Sequence, residues 1–208
     1  MTRVVTAAMA LVLIAATAAW AAGLTLSSTH VGAAALTTPA MFPVSVTLTN
    51  GTGGTVGKVQ NGDTVTFVWS QLVDATSVCS GASNSLSTQS LTFQWSIVNG
   101  TGSAHDTLQA TGSSASCATG LHVGVVDLGA AGYDTATKSI DFQTSTTTLS
   151  FGATTTTLTV SLSGQRNGTA GTVASGTAAI WTPDAAVKDR TGRTCGNNTA
   201  LSSTTVQF

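Results

Sequence analysis

The chain has 208 residues, a formal net charge of −1 and only 7% charged side chains, where a soluble domain ordinarily carries about 25%. A near-neutral balance leaves no electrostatic footprint for nucleic acid, so that partner class is excluded. Solubility must come from hydroxyls and amides, since threonine alone approaches a fifth of the chain.

Residues 1–22 begin with one cation, Arg3, followed by an apolar run from Val4 to about Ala19 and an Ala19-Trp20-Ala21 cleavage-like site. That layout predicts a helical secretory signal peptide, removed from the mature protein. An uncleaved membrane anchor is the competing reading, although the Ala-rich run barely reaches spanning length. No later stretch is long and apolar enough to span. Residues 23–43 show no sustained period and read as a leader or linker, and residues 44–208 carry the domain.

Alternation of apolar and polar residues then takes over. Val44, Val46 and Leu48 are expected on one face of their strand; so are Val65, Phe67 and Trp69, then Leu91, Phe93, Trp95 and Ile97, then Leu158, Val160 and Leu162. Side chains alternate across a strand, so a period of two predicts sheets with one buried and one wet face. Asn50-Gly51, Asn61-Gly62, Asn99-Gly100 and Asn167-Gly168 are turn dipeptides, suited to the positive φ of a reversing chain. Short strands punctuated in this way predict an all-β, antiparallel β-sandwich. Asp63, beside the second of these turns, is placed to accept nearby backbone N–H groups.

Cys79, Cys117 and Cys195 allow one disulfide and leave one thiol over. The expected pair is Cys79–Cys117, because Cys195 lies far along the chain in a polar, loop-like stretch.

Chemistry-bearing motifs are sparse. There is no G-x-S-x-G elbow for a hydrolase, and His30, His105 and His122 carry no motif. All eight acids are Asp, and six of them sit at turn-like positions, so a glycosidase carboxyl pair is not apparent. No D-x-D-x-D-G calcium loop occurs; Asp184 and Asp189 are the weak calcium candidates, and no zinc-ligand spacing is present. Carbohydrate binding is the main rival to a structural role. Trp69 and Trp95 fall on apolar faces, whereas Trp181, next to Ile180 at a strand end, and Tyr133, in a loop-like stretch, would form a small stacking platform if both were exposed.

Several segments resemble the immunoglobulin-like modules of bacterial secreted and surface proteins. These are Gly62-Asp63-Thr64 leading to Ser70-Gln71-Leu72-Val73-Asp74-Ala75-Thr76, the stretch LHVGVVDLGAAGYD, and Ile180-Trp181-Thr182-Pro183 followed by Asp189-Arg190-Thr191-Gly192-Arg193. Arg193 stands where that group usually has Asn. The resemblance implies an immunoglobulin-like sandwich with adhesive, scaffolding or spacer roles and no shared catalytic residue.

The sequence therefore predicts a non-enzymatic, secreted or cell-surface structural or adhesive module without a cofactor. Its expected partner is a surface protein or a glycan, and the alternative function is a carbohydrate-binding module using exposed aromatics.

Overall fold

The computed structural model describes residues 25–29, 33–37, 40–100, 104–112, 117–136, 138–196, 199–202 and 208. The expected signal peptide, 1–22, lies outside the described residues. The chain divides into two compact units, Met1–Ala40 and Met41–Phe208.

Within the first unit, β1 (Thr25–Thr29) and β2 (Ala33–Thr37) pair as an antiparallel hairpin, with Thr25 opposite Thr37 and Thr29 opposite Ala33. The segment read as a leader thus contains a hairpin. Neither TLSST nor AAALT alternates apolar with polar residues, so periodicity gave no sign of it.

The second unit is built from β3 (Pro43–Thr49), β4 (Thr64–Trp69), a single helical turn α1 (Ala75–Val78), β5 (Gln89–Val98), β6 (Thr107–Thr111), β7 (Val125–Asp127), β8 (Ile140–Phe151), β9 (Thr156–Ser161), β10 (Gln165–Arg166), β11 (Ile180–Thr182) and β12 (Ala200–Leu201). Among the described residues these strands form one sheet, in the order β12-β11-β7-β6-β5-β8-β9-β4-β3, with β10 added on β8. Every pairing is antiparallel. The two ends of that order meet, since β3 lies alongside β11 and β12. The predicted all-β antiparallel class is therefore what the chain adopts, as a nearly closed, barrel-like sheet.

The alternating residues build the interior. Val65, Phe67, Trp69, Trp95, Ile97, Leu158, Val160 and Leu162 are all fully buried. Phe67 stacks with Trp95 at 5.8 Å, and Trp181 meets Phe67 and Trp69 edge-on, each at 5.0 Å between ring centroids. This aromatic cluster joins β4, β5 and β11 across the core. Such pairs add about 0.5–1.5 kcal/mol each beyond the area they bury.

Two bulges modify the expected pattern. Pairing of β3 with β4 shifts register between Pro43 and Ser45, and the extra residue turns Val44 outward, where it is 49% exposed. Val44 therefore does not share the buried face of Val46 and Leu48; Pro43 takes that side instead. A bulge reverses the facing of a strand because the side-chain period is two. The second shift falls between Phe93 and Trp95 of β5, opposite Ser145 and Phe142 of β8. Beyond it Ser145 and Thr147 point inward and are fully buried.

Buried polar groups are mostly bonded, as their desolvation demands. Asp63 accepts Gly51 N–H at 2.8 Å and Gln60 N–H at 2.6 Å, as the sequence suggested. Burial pushes its carboxyl pKa up, and those two amides only partly offset the rise. Gly62 supplies the positive φ of the adjoining turn, at 95°.

Candidate functional site

The two aromatics expected to form a ligand platform are both in the core. Trp181 has no exposed surface, and its indole Nε1 donates to the Val123 carbonyl at 2.9 Å. Ile180 takes the outward position on β11 instead. Tyr133 is equally buried, edge-on to Phe208 at 6.2 Å. Period-two facing on β11 could place either Ile180 or Trp181 inside, and the larger ring, beside Phe67 and Trp69, takes the interior. A platform made of Trp181 and Tyr133 is thus not formed.

Asp184 and Asp189 are occupied in turns. Asp184 accepts Ala186 N–H at 2.8 Å, and its other oxygen lies 2.9 Å from His122 Nδ1. Burial alone would raise its pKa, but the amide and the imidazole outweigh that and hold it below the ordinary carboxylate value. Asp189 is nearly fully buried and accepts from Thr191 N, Thr191 Oγ1 and Arg193 N at 2.6–3.0 Å, with Arg193 Nε at 3.3 Å. Those donors again overcome the cost of burial, and its pKa is lowered. Among the described residues, no three His, Cys or Asp side chains come together in a metal-binding cluster.

His105 pairs with Asp127 at 2.8 Å, as His122 does with Asp184, and both pairs are partly exposed. Each has the base–orienter half of a catalytic arrangement. No Ser or Thr hydroxyl among the described residues bonds either imidazole, so the nucleophile half is not assembled.

The Cys79–Cys117 disulfide is formed, and Cys195 is a buried free thiol. The bridge ties the residue after α1 to the segment ahead of β7, two regions also joined by the bond from His122 N–H to the Val78 carbonyl. Asp74 caps α1 by accepting Thr76 N–H at 3.0 Å. Asn84 Nδ2 donates to the same carboxylate oxygen at 2.9 Å.

The outer face of five adjacent strands carries a regular array of hydroxyls. One cross-strand row runs Thr47, Thr66, Thr159, Thr148, Ser90 over β3, β4, β9, β8 and β5; the next runs Thr49, Thr64, Ser161, Thr146, Thr92. Neighbours within a row are about 4.8 Å apart, the spacing of paired strands. The intervening rows hold Val46, Phe67, Leu158, Leu149 and Leu48, Val65, Val160, Thr147, all buried. The ten outward positions bear no charge, and none of their hydroxyls bonds another described residue.

A polar cleft of about 530 Å³ opens between the loop leading into β4 and the turn following β10. Lys58, Gln60 and Asn61 line one wall; Gln165, Gly168, Thr169 and Ala170 line the other. The walls are clasped at one point, where Asn61 Oδ1 accepts Gln165 N–H at 3.0 Å. Asn167 and Gly168 both take φ of 52°, turning the chain so that Thr169 reaches the cleft. Gly168 is required there, since a Cβ would lie 2.8 Å from Ile140 N. Inside the cleft wall, Gln60 Nε2 is enclosed and has no hydrogen-bond partner. The sequence marked Asn61 and Gly168 only as turn residues and gave no binding role to any residue of the lining. The available signal was the duplicated motif itself, Gln60-Asn61-Gly62 and Gln165-Arg166-Asn167-Gly168, two turns of the same chemistry that the fold sets face to face.

No helix among the described residues is long and apolar enough to cross a membrane. Comparison of the chain with protein-family models, with curated proteins and with solved structures finds no match in any of the three.

Proposed function

We propose that this chain is a non-enzymatic structural or adhesive module that works at or outside the cell envelope, with an immunoglobulin-like sandwich arrangement of its strands. The observation that carries the reading is the uncharged face of ten hydroxyls laid over a close-packed aromatic core. Such a face remains wetted without fixed charge and offers repeated, weak hydrogen-bonding positions to a neutral surface. The disulfide supports an oxidising location, as does the signal-like composition of residues 1–22.

Two measurements test this together. Fractionation of an expressing culture, with sequencing of the mature N-terminus, should recover a chain cut near Ala22 in the medium or the envelope; retention of the full-length chain in the cytoplasm would sink the localisation. For the role itself, Thr66→Lys with Thr159→Lys should reduce attachment of the protein to cell surfaces while leaving its melting temperature within a few degrees. Attachment that ignores these charges removes the hydroxyl face from the account.

Carbohydrate binding is the second reading. The polar cleft favours it, in place of the aromatic platform.

A further inference from the structure

We propose that the cleft between Lys58–Asn61 and Gln165–Thr169 is a binding subsite for an acidic sugar, a hydroxylated ring bearing a carboxylate. The inference deepens the carbohydrate reading above and rests on it.

The chemistry of the walls selects this ligand class. Four polar side chains converge on a space large enough for a saccharide unit: the ammonium of Lys58, the amides of Asn61 and Gln165, and the hydroxyl of Thr169; Gln60 lines the wall with its Nε2 enclosed. Apart from the bond from Gln165 N–H to Asn61 Oδ1, none of these side chains bonds another described residue. A concave site with a few convergent polar groups is the usual form of a small-ligand site.

The donor and acceptor inventory narrows the class further. Side-chain amides present both a carbonyl acceptor and an N–H₂ donor. A ligand that satisfies them must itself donate and accept, as sugar hydroxyls do. Phosphate at neutral pH offers almost only acceptors, and its sites draw on arginine forks or clustered backbone N–H groups, which this cleft lacks. Lys58 is the one charged lining residue, and it forms no ion pair with a described carboxylate. The nearest acid in sequence, Asp63, is fully buried and accepts Gly51 and Gln60 N–H, so it faces away from the lysine's role. One uncompensated cation among amides matches one carboxylate among hydroxyls.

The test titrates the full chain with glucuronate, glucose and inorganic phosphate, following ligand binding by saturation-transfer NMR. The expected result is that glucuronate binds, that glucose binds at least about tenfold more weakly, and that phosphate does not displace glucuronate. Lys58→Met should erase the preference for glucuronate over glucose, and Gln165→Leu should weaken both sugars. Lys58 and Gln165 are partly exposed, and an unchanged melting curve for each variant establishes that the fold is intact. No glucuronate binding, glucuronate binding that survives Lys58→Met, equal binding of glucose, or displacement by phosphate would each overturn the proposal. Cell-surface attachment with a silent cleft would leave the adhesive reading standing, so the two fail separately.

Discussion

Trp95 donates its indole N–H to the hydroxyl of Thr147, 3.2 Å away, and both side chains are fully buried. The pair spans the β5–β8 ladder just beyond the bulge that turns Thr147 inward. A buried indole nitrogen needs an acceptor, and the threonine stands where a leucine or valine would ordinarily fill the core. Thr147→Val keeps the volume and orphans the donor, so it should cost about 1–2 kcal/mol in denaturant unfolding. Thr147→Ser retains the acceptor and should cost less. A Thr147→Val variant as stable as the native chain would show that the bond contributes nothing.

The Cys79–Cys117 bridge closes a loop with a sequence separation of 38. On the chain-entropy argument, a loop of that size is worth about 3–4 kcal/mol. Replacing both cysteines with serine should lower stability by roughly that amount without changing the far-ultraviolet circular dichroism of the folded protein. Equal midpoints for the two proteins would mean that the loop is ordered by its other contacts, such as the His122–Val78 hydrogen bond.

Cys195 is 4% exposed, and burial pushes its thiol up to about 11. The thiolate is the reactive form, so the folded protein should resist Ellman's reagent at pH 8 and give one equivalent only after unfolding in guanidinium. Rapid labelling of the native chain would show that the segment around Cys195 opens readily.

Two aspartates should move stability with pH in opposite directions. Asp189 has a lowered pKa in the fold, so it contributes stability that is present above the ordinary carboxyl value of about 3.9 and is lost as pH falls through its folded value. Asp189→Asn should therefore cost about 2 kcal/mol at pH 7 and progressively less in acid. Asp134 is the reverse case. Burial raises its pKa, with the nearby Asp106 adding to the rise, and its Oδ2 has no partner. The folded state then holds its proton more tightly, and stability declines as pH rises from about 4 through the raised value. Asp134→Asn should gain on the native protein over that interval, by about 1 kcal/mol at neutral pH. Thermal melts from pH 3 to 8 decide both, and parallel curves for variant and native chain would refute the assignment.

Legibility of the fold in the sequence followed burial. Wherever a strand buries apolar residues at every second position, as β4 and β9 do with Val65, Phe67, Trp69 and Leu158, Val160, the period alone located it and fixed its facing. β8 is the counter-example. It is the longest strand, yet its inner face includes Ser145 and Thr147, so IDFQTSTTTLSF carries little apolar alternation. Those hydroxyls are tolerated inside because Trp95 and Ser163 N–H bond them, a tertiary fact with no local mark. Val44 misled for a related reason, since a bulge depends on the partner strand. Trp181 showed the limit of local reading at a strand end, where the position of the core decides which neighbour turns in. The cleft was the least legible feature, because its walls come from turns about a hundred residues apart.

Closure of the sheet also sets an order of events. β3 lies against β11 and β12, so the earliest strand of this unit gains these neighbours only after Ile180–Thr182 and Ala200–Leu201 have been made. Contacts so distant along the chain are slow to form and must wait for β11 and β12. A chain stopped short of β11 would leave that flank of β3 uncovered.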